Sequence, residues 1–267
     1  MDRRGVCLRV RGDGPNLLLL HGFGVSSYTW RYVVNPLVQH FRVMAADQLG
    51  CGSSARPHDA DYSLAGHLDR LEVRLQEEGV EEARVMGNSY GATIALALAA
   101  RNSHMISRLV LAAPAVFVER LPPLIRLLRS PIFGLLAMKV PATMAARFAL
   151  RRAYGSPSMV PAEAVRRYAR EMGDTRARKA LRKTALGMPS PDPKTSIELL
   201  GGVTQPTLII WGQQDRILPA KHGEGLRQAL PDARLLILQE CGHAPQEEKP
   251  KEFLKASLQF LTGKNGN

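Results

Sequence analysis

Apolar residues occur along this chain in short unbroken runs, separated by longer stretches where they recur every three or four positions. Asn16-Leu17-Leu18-Leu19-Leu20, Arg42–Ala46, Ala83-Arg84-Val85-Met86, Arg108–Ala112, Thr207–Trp211 and Arg234–Leu238 have the length of strands and no polar alternation. A strand without a polar face is covered on both sides, as in a parallel sheet between layers of helices. The intervening stretches predict helices near 28–38, 63–78, 92–100, 221–230 and 250–261, with a hairpin strand ahead of Asn16. Strand and helix alternate, so the expected fold is α/β, a mostly parallel sheet flanked by helices.

From about Phe117 to Leu200 the alternation stops, and prolines at 122, 123, 131, 141, 157, 161, 189, 191 and 193 cut the segment into short helical pieces. The chain therefore divides into a core, 1–116 with 201–267, and a helical insertion, 117–200. At 267 residues this is one α/β domain with a modest insertion.

The chemistry concentrates at the ends of the apolar runs. Gly87-Asn88-Ser89-Tyr90-Gly91 joins a strand directly to a run of helix formers, Ala92–Ala100. A strand that becomes a helix within one Gly-x-Ser-x-Gly is a nucleophile elbow, so tight that only glycine fits beside the serine. A serine hydroxyl needs a base to take its proton, and the base needs an orienting acid. In the elbow arrangement the chain order is Ser, then Asp or Glu, then His. Asp215 follows the Thr207–Trp211 strand, and His243 follows the Arg234–Leu238 strand. Both fall just past strand ends, where sites assemble in open α/β sheets. Ser89, Asp215 and His243 are the catalytic candidates. The oxyanion donors are assigned to two backbone N–H groups: Tyr90, which follows the nucleophile, and Phe23, in the glycine-rich His21-Gly22-Phe23-Gly24 after the Asn16–Leu20 strand.

His21-Gly22-Phe23-Gly24, Asp47-Gln48-Leu49-Gly50-Cys51-Gly52-Ser53-Ser54, the elbow, and the Asp215 and His243 loops together resemble the α/β-hydrolases with a serine nucleophile. The resemblance covers the chain except its middle. It implies an α/β-hydrolase fold with a helical cap inserted after the sixth strand, hydrolysis without a cofactor or metal, and a Ser-His-Asp mechanism. Superfamily members with Asp at the elbow, the dehalogenases and epoxide hydrolases, differ from this chain at Ser89. Two substrate classes stay open. One is a carboxylic ester with an apolar group, which the expected lipophilic pocket under the cap suits; the oxyanion loop and Asn88 are also similar to chlorophyll-ester hydrolases. The other is the carbon–carbon bond of a ring-cleavage diketone, whose hydrolases have a similar elbow and Asp47-Gln48-Leu49-Gly50 stretch. Those enzymes usually carry Gly-Pro-Gly in the oxyanion loop and often Trp after the histidine, where this chain has Gly24-Val25-Ser26 and Ala244. A non-catalytic ligand receptor on the same fold is a third reading.

Composition sharpens the view of the insertion. The formal charge is +12, and residues 117–200 hold 16 Lys or Arg against 6 Asp or Glu, a net of +10. The segment is either a solvated basic face or a surface that docks on something anionic: membrane lipid, an acidic partner or an acidic substrate. Leu121-Pro122-Pro123-Leu124-Ile125-Arg126-Leu127-Leu128-Arg129 and Leu135–Lys139 interleave apolar groups with cations. That suits an interfacial helix, and equally a helix with its apolar face on the core and Arg in water. No nucleic-acid-binding motif accompanies the charge. The first residues lack the apolar stretch of a secretory signal, and no run reaches the length of a transmembrane span. Three cysteines (Cys7, Cys51, Cys241) form neither a paired framework nor a metal-ligand spacing, so the expected setting is reducing and cytoplasmic, with the basic cap allowing a peripheral membrane position. Oligomeric state leaves no mark in the sequence.

Other titratable residues receive structural roles. His21 is expected to hydrogen-bond loop backbone, Asp47 to fix the glycine-rich turn after it, and Glu240 is the weaker alternative to Asp215. His40, His58, His67, His104 and His222 are expected at the surface, and Trp30 and Trp211 in the core. Tyr28, Tyr90 and Phe117 are candidates to line the pocket.

Overall fold

The computed structural model describes residues 5–116, 120–189 and 200–263. Seven strands, β1 Cys7–Arg11, β2 Asn16–Leu20, β3 Arg42–Asp47, β4 Ala83–Asn88, β5 Ile106–Ala112, β6 Thr207–Gly212 and β7 Ala233–Leu238, form one sheet in the order β1-β3-β2-β4-β5-β6-β7. β1 is antiparallel to β3 and every other pairing is parallel. Side chains alternate across such a sheet, so the leucines of β2 serve both faces. Leu18 and Leu20 pack with Val85, Leu111, Ile209 and Trp211, and Leu17 and Leu19 pack on the other side with Val43, Val110, Ile210 and Phe253.

The opening strand is not a hairpin partner of β2, as the sequence pattern suggested. It lies beyond β3, with Cys7 opposite Asp47 and Arg11 opposite Val43. The reason is burial: β2 has no exposed face or free edge to offer, whereas β1 places Arg9 and Arg11 in water and suits an edge. The single helix expected over 28–38 is also two pieces, a 3₁₀ turn Ser27–Trp30 and α1 Val34–Val38. Pro36 accounts for the break. It has no N–H for the Tyr32 carbonyl, and its ring would strike that carbonyl in a continuous helix.

The remaining core helices are α2 Leu64–Glu77, α3 Tyr90–Arg101, α9 His222–Ala229, α10 Pro245–Glu248 and α11 Pro250–Thr262. Ser63 caps α2 by accepting the Gly66 N–H. α3 is buried from Tyr90 to Ala99, which its alanine-rich, uncharged sequence permits. Between β5 and β6, the fifth and sixth described strands, lies the helical insertion: α4 Pro123–Arg129, α5 Pro131–Ala137, α6 Ala142–Ala153, α7 Ala162–Met172 and α8 Thr175–Gly187. Pro123 and Pro131 sit in the first turns of α4 and α5, and Pro141 and Pro161 cap α6 and α7. The missing N–H costs nothing there. α6 and α7 form a small core of their own around Leu150, Tyr154, Val165 and Tyr168.

Candidate functional site

Ser89 stands between β4 and α3 with φ 54° and ψ −118°, a conformation that L residues avoid. The sequence forces it. A side chain at Gly91 would strike the Leu20 and His21 carbonyls, and one at Gly87 would come within 2.6 Å of the Gly91 carbonyl and Ala92 Cα. The turn is therefore closed to larger residues on both sides, and Ser89 is its half-exposed tip. Ala113 and Glu240, the other described non-glycine residues with positive φ, lie just past the carboxyl ends of β5 and β7. Backbone strain thus gathers along the edge of the sheet that carries the candidates.

Asp215 and His243 are brought into direct contact. The His243 Nδ1–H donates to Asp215 Oδ2 at 2.7 Å, with both side chains buried. Asp215 is fully committed as an acceptor. Its Oδ1 accepts the Ile217 and Leu218 N–H groups at 2.8 and 2.9 Å, and its Oδ2 also accepts the Trp211 indole N–H at 3.1 Å. With the proton held on Nδ1, the lone pair of the imidazole is left on Nε2. The Asn88 side chain joins this pair to the elbow: its Nδ2 donates to the His243 carbonyl at 3.1 Å and to Ala112 O at 3.2 Å.

The His21–Gly24 loop closes over the elbow from the β2 side. A Cβ at Gly22 would lie 3.3 Å from Ser89 Cβ, so the loop passes the serine at Gly22, one residue before Phe23. The Tyr90 N–H is the first of α3 and has no carbonyl of its own helix to bond. His21 is a structural residue: Nδ1–H donates to Gly22 O at 2.8 Å and Nε2 accepts the Gln48 N–H at 2.9 Å. Burial lowers its pKa. Asp47 accepts the Ser27 and Ser53 N–H groups, each at 2.8 Å, and pairs with Arg9 at 2.8 Å, so it fixes the glycine-rich turn. Glu240 points into water beside Lys249.

Three residues of consequence escaped the sequence reading. Trp211 holds Asp215 as well as packing the core. Glu247 accepts the Thr29 hydroxyl at 2.6 Å and the Tyr154 hydroxyl at 2.8 Å and pairs with Arg31 at 2.7 Å, which ties the core to α6. Glu248 accepts N–H groups from Gly242 and Ala244, on either side of His243, and from Gly155 at the end of α6. Burial raises its pKa against the pull of those donors. The His243 N–H itself donates to Ala153 O at 2.6 Å, so the histidine loop and the insertion are one hydrogen-bonded unit. A Glu-Glu pair four and five residues after the histidine was the available signal.

Other expectations need correction. His67 is not at the surface; it is 3% exposed and packs edge-on against Tyr90, with ring centroids 5.8 Å apart. Its place in α2 explains this, since it lies on the stripe of Leu64, Leu68, Leu71 and Leu75. His40, His58 and His104 are exposed, and His222 is half-buried. Tyr90 turns its ring to His67 and the core, while Tyr28 sits at the seam with the insertion, donating to Glu163 at 3.0 Å. Phe117 lies outside the described residues. Cys241 is fully buried and Cys51 has its thiol pKa pushed up to about 12 by burial, so neither is a reactive thiolate.

Burial lowers the His67 pKa from 6.5 to about 4. Between those values the unfolded chain binds a proton that the folded chain refuses, so stability falls as pH drops through this window. The full drop corresponds to on the order of 3 kcal/mol. Thermal melts from pH 7 to 4 are expected to show a declining midpoint, and His67→Phe, which has nothing to protonate, a shallower decline. Equal slopes for the two proteins would assign the acid sensitivity to other groups.

Against this geometry the comparisons are direct. A family model described as the alpha/beta hydrolase fold matches residues 15–250. The chain belongs to that family. Relatives at the same identity divide by chemistry. A pimeloyl-[acyl-carrier protein] methyl ester esterase of Vibrio vulnificus is 29% identical over 267 residues, covering 94% of this chain and 96% of its own. A 2-hydroxymuconate semialdehyde hydrolase of Pseudomonas putida is 29% identical over 279 residues, covering 95% and 89%. Among solved structures, a meta-cleavage product hydrolase from Pseudomonas fluorescens IP01 superposes with a TM-score of 0.83 at 25% identity, covering 97% of this chain and 95% of that one. This protein is an α/β-fold hydrolase, similar to both esterases and carbon–carbon bond hydrolases.

Proposed function

We propose that this hydrolase cleaves a carboxylic ester with an apolar group through an acyl-enzyme on Ser89. The observation that carries the reading is the His243–Asp215 contact at 2.7 Å, hydrogen-bonded through Asn88 to the strained turn that presents Ser89. Ser89 Oγ attacks the ester carbonyl as His243 Nε2 takes its proton, and Asp215 stabilises the resulting imidazolium. The N–H groups of Phe23 and Tyr90 receive the oxyanion, a contribution of roughly 3–4 kcal/mol per donor. His243 then protonates the leaving alkoxide, and water repeats the sequence on the acyl-enzyme. The insertion, 117–200, acts as a cap over the core formed by 1–116 and 201–267, and no cofactor takes part.

Identity alone does not separate ester from carbon–carbon substrates, because the relatives of both kinds stand at 29%. Two positions favour the ester: Gly24-Val25-Ser26 and Ala244 depart from the loop and the histidine neighbour usual in diketone hydrolases. The test is turnover of p-nitrophenyl esters from acetate to palmitate beside a ring-cleavage diketone, with fluorophosphonate labelling located by mass spectrometry. Ester turnover with the label on Ser89 is the expected result, and the preferred chain length sizes the pocket. Diketone turnover exceeding that of every ester overturns the substrate class. Labelling without turnover of either would favour a ligand receptor.

A further inference from the structure

The insertion exposes large apolar side chains on α5 and α6 that its own packing does not use. Ile132 and Phe133 on α5 are 69% and 62% exposed, and Met144 and Phe148 on α6 are each 63% exposed. Eleven of the twelve large apolar side chains most exposed among the described residues lie between Leu124 and Leu186. Exposed apolar groups gathered on one part of a surface mark sites of interaction. The sequence left two meanings open for these interleaved apolar and basic positions, and the helices divide between them. α4 turns Ile125 and Leu128 inward at 5% exposure and leaves Leu124 and Leu127 at 37% and 42%. α5 turns Ile132, Phe133, Leu135 and Leu136 outward.

The chain segment that carries α4, α5 and α6 has charge of one sign. Residues 120–162 contain seven Lys or Arg and no Asp or Glu. On α6 the helical spacing sets Met144 and Phe148 in one stripe, with Arg147 and Arg151 along one side and Arg152 along the other. Ala146 and Leu150 face inward. Apolar tips between cations that reach outward are the arrangement by which a helix lies in an anionic interface. No single described helix is long and apolar enough to cross a membrane, and α5 and α6 are bent by 107° at the break between them. A second copy seated on the same edge would oppose cation to cation with no acidic residue of the segment to pair them.

We propose that the α5–α6 edge of the insertion docks this hydrolase on an anionic lipid bilayer, with Ile132, Phe133, Met144 and Phe148 entering the headgroup boundary and the flanking arginines engaging lipid phosphates. The docking is independent of the bond that Ser89 cleaves. It is tested with the full chain by flotation on vesicles of phosphatidylcholine alone and of phosphatidylcholine with about one-third phosphatidylglycerol, a content chosen to give a strongly negative surface. Binding is expected on the mixed vesicles only, weakening at least roughly tenfold between 0.1 and 0.5 M salt as screening grows. The paired substitution Ile132→Asp with Phe133→Asp is expected to cut it roughly tenfold or more while leaving the melting temperature unchanged, because both side chains are exposed. If that variant melts early, Met144→Ser with Phe148→Ser supplies the same readout. Equal binding to both vesicle types, or variants that bind like the native chain, would overturn the proposal. So would sedimentation showing a native dimer that the variants dissociate, which would seat a second copy on the edge.

Discussion

Replacing Ser89 by alanine is expected to lower kcat on the preferred ester by roughly 10⁴–10⁶, the scale on which a hydrolase loses its nucleophile. In the proposed mechanism the hydroxyl is the single reacting group that the elbow presents, and among the described contacts none that holds α3 or β4 involves it. The melting temperature is therefore expected to stay within a degree or two of the native value. Ser89→Gly separates the chemistry from the strain. It removes the same hydroxyl, but glycine adopts φ 54° without penalty, so stability is expected to rise by roughly 1 kcal/mol while activity is lost to the same degree. A variant Ser89→Ala that kept more than about a hundredth of the native rate would exclude the acyl-enzyme, since no other group could restore catalysis on that scale. Kinetics on the three proteins, with melts beside them, suffice for both statements.

The contrast between what this sequence discloses and what it hides has a physical basis. Parallel strands in the middle of a sheet are buried on both faces, so β2, β3, β4 and β6 announce themselves as unbroken apolar runs; Ser89 and Asp215 are found by walking off the carboxyl ends of β4 and β6, and His243 past the end of β7. The elbow is local, and Gly87 and Gly91 are required by atoms a few residues away or by one neighbouring strand. The supports of the site are not local. Asn88 reaches a carbonyl 155 positions away, and Glu248 joins its own loop to Gly155, 93 positions earlier. Neither residue type is unusual for a loop, so nothing in composition distinguishes them. His67 was legible in principle, because it falls on the apolar stripe of α2, but its polarity weighed against its position. The outward face of α5 is hidden for the opposite reason: Ile132, Phe133, Leu135 and Leu136 read as a run that any core would accept, and only the fold shows that no core meets them.

Exchanging Asp215 for asparagine is expected to cost roughly 10⁴ in kcat with little change in KM, although the two side chains are nearly the same size. The four groups that surround the carboxylate all donate: the N–H groups of Ile217 and Leu218 to Oδ1, and the Trp211 indole and the His243 ring to Oδ2. An ionised carboxylate accepts everywhere, whereas an amide must turn its NH₂ towards one pair or the other. Facing Ile217 and Leu218 it would oppose two backbone N–H groups that cannot move, leaving them buried and unpaired. Facing His243 it meets a ring that can exchange tautomer, with Nδ1 then accepting. The second arrangement wins, and it places the ring proton on Nε2, the atom that the proposed mechanism needs free. Trp211→Phe probes the same oxygen more gently: it removes one donor and leaves the His243 contact, so its expected cost is roughly tenfold or less, on the scale of one neutral hydrogen bond. A thousandfold difference between these variants would identify the histidine tautomer as what Asp215 controls. Similar losses in both would mean that the carboxylate acts by holding the loop through Ile217 and Leu218, and the orienting role would then have to be sought elsewhere.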